Sequence, residues 1–174
     1  MDETPYEIER KFLICMPDLG WLASVAECSH ITQCYLLKEE EGTSERVRKR
    51  ETADRVVFTH TRKTHITAIR RVEIEQEIDQ TEYERLLLKA DPKRRLIEKD
   101  RYCLRDNGLL YEIDVYPFWK SQAVLEIELE DEDQFFPWPD GIIRLREVTD
   151  DGRYTNAALA RRIPDEEQQK EDET

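Results

Sequence analysis

The sequence predicts an α+β chain in which eight antiparallel strands close into a barrel, with two or three helices flanking it. Three observations lead there. Charged and apolar residues alternate with a period of two over much of the chain, the pattern that puts every second side chain on one face of a strand. The segments between these runs are short, which favours antiparallel neighbours, because parallel ones need a crossover of roughly a dozen residues or more. Eight such strands leave two exposed edges unless the sheet closes on itself.

The first strand covers residues 7–14, with Glu7, Glu9 and Lys11 on one face and Ile8, Phe12 and Ile14 on the other. Asp18 is placed as a helix N-cap before a stripe of Leu22, Val25 and Ala26, so a helix is expected from Asp18 to Cys28. Residues 30–37 suit a second strand, and Gly42, Thr43 and Ser44 make the turn after it. The third strand runs through residues 45–50 and the fourth through 56–63. In the fifth, residues 71–78, Arg71, Glu73, Glu75 and Glu77 alternate with Val72, Ile74, Gln76 and Ile78. Thr81 opens a short helix from Glu82 to Lys89 with Tyr83, Leu86 and Leu87 on one side. Strands at 95–105, 109–116 and 123–130 follow, the first two joined by the hairpin signal Asn107-Gly108. A Pro- and Gly-bearing stretch then leads to a last helix, Tyr154 to Arg162.

At 174 residues there is room for one domain or two very small ones, and residues 1–164 read as one. Asp165–Thr174 hold six acids and one lysine with nothing apolar to bury, and read as an acidic disordered tail. The 40 acids outnumber 27 Lys and Arg, for a net charge of −13, which argues against nucleic acid as a partner, because such binding draws its affinity from neutralised phosphates. No window approaches the roughly 18 to 20 apolar residues of a spanning helix and no secretory signal is evident, so no membrane association is expected. The four cysteines have no C-x-x-C spacing, which suits reduced thiols and a cytoplasmic location. His30, His60 and His65 match no metal-ligand spacing and are read as surface residues.

Function enters with the sorting of charge on the polar face. Strands one, seven and eight carry acid pairs two residues apart: Glu7 and Glu9, Glu112 and Asp114, Glu126 and Glu128. Others carry bases: Arg46, Arg48 and Arg50, then Lys63, Arg71, and Lys99 with Arg101. Residues two apart on a strand lie about 6.5–7 Å from each other. Like charges at that spacing repel, and a face built only for stability would mix them. Clustered carboxylates suit hard divalent cations and clustered guanidinium groups suit phosphate oxygens. If the charged face points inward, so many buried charges need cations, water and an anionic ligand. Acidic clusters beside a basic tract make a site for phosphoryl transfer or phosphate hydrolysis.

These residues also resemble a known family. Glu7-Ile8-Glu9-Arg10-Lys11 fits the ExExK signature of the triphosphate tunnel metalloenzymes, or CYTH domain family. The likeness continues in order with Gln33-Cys34-Tyr35-Leu36, Arg46-Val47-Arg48, Thr61-Arg62-Lys63 and Arg71-Val72-Glu73-Ile74-Glu75. It goes on through Lys99-Asp100-Arg101-Tyr102, Glu112-Ile113-Asp114, Glu126-Ile127-Glu128, Glu147-Val148-Thr149 and Arg153-Tyr154-Thr155-Asn156. Arg62 stands where an apolar residue is usual, and Arg50 adds a charge the pattern does not demand.

The resemblance implies an eight-stranded tunnel, Mg2+ or Mn2+ as cofactor, and a small-molecule triphosphate as partner. It implies that Glu7, Glu9, Asp114, Glu126 and Glu128 hold the metal, with Glu73 and Glu75 lining the tunnel. Lys11, Arg46, Arg48, Lys63, Arg71 and Arg101 are implied to grip the substrate, and Lys99 to serve as general base. The expected reaction is hydrolysis of tripolyphosphate to pyrophosphate and phosphate, by a monomer or homodimer. The alternatives are a class IV adenylyl cyclase, a thiamine triphosphatase or a nucleoside triphosphatase on the same tunnel, or a non-catalytic polyphosphate- or nucleotide-binding module. Trp21, Trp119 and Trp138 fall in predicted helix or loop, so no stacking platform for a base is evident.

Overall fold

The computed structural model describes residues 6–38, 40–67 and 69–167. Its strands are β1 (Tyr6–Cys15), β2 (Glu27–Tyr35), β3 (Thr43–Glu51), β4 (Val56–His65), β5 (Arg70–Ile78), β6 (Ile97–Asp106), β7 (Leu109–Val115), β8 (Gln122–Leu129) and β9 (Arg144–Glu147). The helices are α1 (Leu19–Val25), α2 (Gln80–Leu87) and α3 (Asn156–Leu159), with a 3-10 turn at Gly152–Tyr154. Neighbouring strands pair antiparallel in the order β5-β4-β3-β2-β6-β7-β8-β1, and β5 pairs back onto β1 to close the barrel. Asn107 and Gly108, with φ of 50° and 74°, form the tight β6–β7 turn that their sequence predicts.

Four elements differ from the sequence expectation. β1 meets β5 over only Tyr6–Ile8, and its far end pairs instead with a ninth short strand, β9, at Phe12–Ile14. Helix α1 stops at Val25 because Ala26 turns to extended backbone and Glu27 joins β2, so Cys28 is a strand residue. Helix α2 starts at Gln80, before Thr81, because the Asp79 carboxylate caps it by accepting from Glu82 N at 2.8 Å. The last helix is broken in two by Thr155, whose hydroxyl accepts from Ala158 N and restarts the helix after the 3-10 turn.

The outer faces of β1, β6, β7 and β8 bury Phe12, Ile14, Leu104, Tyr111, Ile113, Leu125 and Ile127 beneath Leu22 of α1 and the Phe136–Ile142 segment. A smaller cluster joins Cys34, Leu36 and Val47 to Tyr83 and Leu86 of α2. The third cluster decides the shape of the interior. Leu13, Tyr35, Ile97 and Val124 pack with Tyr116, Trp119, Tyr154, Leu159 and Ala160, so the 3-10 turn and α3 plug one end of the barrel. Trp119 is thus core, and Trp138 packs edge-on against Phe12 on the outside. Of the expected acidic tail, Glu166 accepts from Ser121 N at 2.7 Å and Glu167 pairs with Arg146; residues 168–174 lie outside the described residues. Among the described residues no helix is long and apolar enough to cross a membrane.

Candidate active site inside the barrel

Strand alternation alone delivers the charged side chains to the interior. On β1 the inward parity gives Glu7, Glu9 and Lys11, on β3 Arg46, Arg48 and Arg50, on β5 Arg71, Glu73 and Glu75, and on β8 Glu126 and Glu128. Together with Lys63, Arg101 and Glu112 they line a cavity of about 240 Å³, floored by Thr155, Asn156 and Ala157 of the plug. Arg62 points outward by the same parity and pairs with Glu40 and Glu45. The lining holds seven cationic and seven acidic side chains, so it is formally neutral.

Twelve of the fourteen side chains expected at the site face this cavity, and Lys99 and Asp114 do not. Both lie behind its wall with fully buried side chains. Lys99 Nζ is 2.6 Å from Asp114 Oδ2 and 3.4 Å from Asn156 Oδ1. Arg101 donates from Nε to Asp114 Oδ1 at 2.7 Å and from Nη2 to Oδ2 at 2.9 Å, while its Nη1 reaches Glu112 at 2.6 Å. Tyr35, Ser44, Arg50, His65, Glu112 and the floor residues join the lining without having been placed there by the motifs. Parity signals most of them: Arg50 continues the Arg46, Arg48 row, Glu112 precedes Asp114 by two, and His65 follows Lys63 by two.

The wall is electrostatically strained. Glu9 lies directly opposite Glu128 across β1–β8, and Glu112 directly opposite Glu126 across β7–β8. Like charges directly opposite one another destabilise a sheet. Here bases intervene: Lys11 Nζ sits 3.1 Å from Glu126, and Arg71 bridges Glu9 and Glu7. Burial, then a hydrogen bond and repulsion from Glu73, push Glu7 far above the usual carboxylate range, to about 8, against the pull of Arg71 and Lys63. Burial, with Arg46 and Arg71 nearby, lowers Lys63 to about 8. Burial and Arg101 lower Lys99 to about 7 despite the Asp114 contact. Arg48 is likewise depressed by burial and by Arg46 and Arg101, and its guanidinium is fixed by two bonds to Gln33 Oε1, at 3.0 and 2.9 Å.

Two observations describe what the cavity accepts. Arg46 Nε and Arg71 Nε are buried donors without a hydrogen-bond partner, a cost that an anionic oxygen would relieve. The acids supply only hard oxygen donors, and Glu7, whose proton a cation would displace, with two facing carboxylate pairs fits a divalent cation by the chemistry of the donor set. Among the described residues no three acidic, histidine or cysteine side chains converge in a metal-ligand arrangement; Glu7, Glu9, Glu73, Glu112 and Glu126 pair with facing bases instead.

No family model matches the chain. It is 35% identical over 165 residues to an inorganic triphosphatase of Nitrosomonas europaea, covering 91% of this chain and 99% of that protein. It is 34% identical over 156 residues to an inorganic triphosphatase of Acetivibrio thermocellus, covering 89% and 93%. Among solved structures, an inorganic triphosphatase superposes with a TM-score of 0.58 at 32% identity, over 91% of this chain and 97% of the other.

Proposed function

This chain belongs to the inorganic triphosphatases of the CYTH, or triphosphate tunnel, family, and from that premise we propose that it hydrolyses inorganic triphosphate to pyrophosphate and phosphate in its barrel, with a divalent cation. The observation that carries this reading is the formally neutral lining of seven bases and seven acids. A bare triphosphate would bring several uncompensated negative charges into such a cavity. A triphosphate accompanied by divalent cations brings almost none, and the lining offers bases to the one and carboxylates to the other.

Binding in this scheme is an exchange of partners. Lys11, Arg46, Lys63, Arg71 and Arg101 turn from their carboxylates, and Arg48 from Gln33, to phosphate oxygens, with the orphaned Nε donors of Arg46 and Arg71 gaining acceptors. The carboxylates so released, Glu7, Glu9 and Glu126, hold the cation together with Glu128, and Glu73 and Glu75 complete the wall. Asp114 joins them only when Arg101 leaves it for substrate. When bound, Mg2+ or Mn2+ offsets charge developing on the phosphate oxygens and lowers the proton affinity of a water. The protein's own work is to hold the phosphate chain for in-line attack and to take up a proton. Two lysines with depressed proton affinity are available for that, Lys99 behind the wall and Lys63 on it. The pH–rate profiles of Lys63→Ala and Lys99→Ala assign the step: the variant that loses the lower limb carries it.

Among the described lining residues Tyr35 is the single Phe, Tyr or Trp, and it sits at the plugged end, so the cavity has no large aromatic platform for an adenine or thiazole ring. A cytoplasmic setting, where thiols stay reduced, fits this reading. The test is release of phosphate and of cyclic nucleotide from tripolyphosphate, ATP and thiamine triphosphate, each with Mg2+ and Mn2+. Tripolyphosphate as preferred substrate supports the proposal. Turnover of ATP to cyclic AMP, or metal-dependent binding without turnover, overturns it.

A further inference from the structure

Outside the barrel, the loop between α2 and β6 carries a buried cation that the site described above does not use. The Arg94 side chain is only 3% exposed, and its Nε and Nη1 have no hydrogen-bond partner. Its nearest acid is Asp91, at 3.3 Å, which is shared with Arg161 at 3.9 Å. Burying a guanidinium with two idle donors is costly, and an apolar side chain of similar length would fill the space at lower cost. What the charge gains there is the face of an aromatic ring: the guanidinium carbon lies 5.3 Å from the centroid of Tyr35.

Tyr35 is the point at which this outer loop meets the cavity. It is buried, carries Arg94 against its ring and is among the residues that line the cavity. The loop is tied to it by backbone as well, since Asp91 N donates to Tyr35 O at 3.0 Å and Arg94 N to Asp91 O at 3.1 Å. Gln33 Nε2 donates to the Tyr35 hydroxyl at 3.3 Å, while Gln33 Oε1 is held by Arg48, which lines the cavity. With its oxygen already accepting from Gln33, the phenol keeps its own proton to donate. A cation against the ring face draws electron density from it and makes that O–H a stronger donor.

We infer that Arg94 is a positioning residue for the reaction: it fixes the Tyr35 ring and polarises its hydroxyl as a donor to a phosphate oxygen of the substrate. The inference rests on triphosphate hydrolysis as the reaction, and a wild-type protein without turnover would sink that reading rather than this one. Arg94 touches no substrate; it acts through Tyr35, and that route is what the test isolates.

The experiment is a double-mutant cycle on the full chain, with Arg94→Met, Tyr35→Phe and their combination assayed for kcat and KM on tripolyphosphate with Mg2+. Arg94→Met keeps the stem and removes the charge; Tyr35→Phe keeps the ring and removes the hydroxyl. Arg94→Met is expected to lower kcat/KM by about three- to thirtyfold in the wild-type background, the range of a desolvated cation–π contact, and by less than about twofold in the Tyr35→Phe background. Arg94→Lys, which keeps a cation over the ring, should recover most of the loss. If Arg94→Met does not fold, Arg94→Lys and Arg94→Gln are read in both backgrounds in its place. An equal fold-loss with and without the Tyr35 hydroxyl would make Arg94 merely structural and overturn the inference, as would wild-type kinetics in Arg94→Met.

Discussion

Replacing Asp114 by Asn tests the buried framework behind the cavity wall. The carboxylate is fully buried and takes three charge-assisted hydrogen bonds from two cations, at 2.6, 2.7 and 2.9 Å. The amide keeps the shape but removes the charge, leaving Arg101 without its fully buried counter-ion and Lys99, already lowered to about 7, without the carboxylate that favours its charged form. Breaking a buried ion pair by removing one partner costs about 3–5 kcal/mol, and no discount for solvent screening applies at this depth. Against a total stability of about 5–15 kcal/mol that loss is large. Urea unfolding of both proteins at pH 7.5 with chelator present gives the difference directly. The double variant Asp114→Asn, Lys99→Met removes the buried amine together with the acid and should recover about 1–2 kcal/mol of it. An Asp114→Asn protein within about 1 kcal/mol of wild type would refute the reasoning, because it would mean that the three contacts are balanced by desolvation and hold nothing in place.

Other outcomes follow from the same geometry. Glu126→Gln with Glu128→Gln should lower Mg2+-supported turnover of tripolyphosphate by at least about 100-fold, measured by phosphate release, with the barrel still folded by circular dichroism. Lys63 and Lys99, held at about 8 and about 7, bind fewer protons folded than unfolded up to the ordinary lysine value, so stability rises with pH above about 8; urea midpoints should show that rise shrinking in Lys63→Met. Glu7, raised to about 8, works in the opposite sense below that pH, so Glu7→Gln should flatten the loss of stability between about pH 5 and 8. Leu159→Ala, which empties a fully buried position in the plug, should cost about 2–5 kcal/mol in thermal unfolding.

The strands were legible because alternation is a local property that burial enforces: a slip of one residue would turn Glu7, Glu9 and Lys11 outward and Ile8 and Phe12 into the charged interior. The same parity placed Lys63 inside and Arg62 outside even where the motif was irregular. Depth along a strand is a different matter. Lys99 and Asp114 have the inward parity of Arg101 and Glu112, yet the plug packs Tyr116 and Asn156 against their end of the barrel and seals them off. Nothing in the local pattern of β6 or β7 records that, because it depends on α3, some 40 to 60 residues away in sequence. β9 was hidden for another reason: four residues after a stretch with Pro137, Pro139 and Gly141 give too short an alternation, and they form a strand only because the end of β1 is left uncovered by β5. The pairing of Arg94 with Tyr35 across two elements left no trace in the motifs at all.

The central claim is that the cavity takes triphosphate and divalent cation as a pair. It is tested most directly by calorimetric titration with a non-hydrolysable imidotriphosphate, with and without Mg2+. The account predicts that saturating Mg2+ tightens binding at least about tenfold and that, by linkage, the bound anion tightens Mg2+ by the same factor. Binding of the anion that is unchanged or weakened by Mg2+ would contradict it.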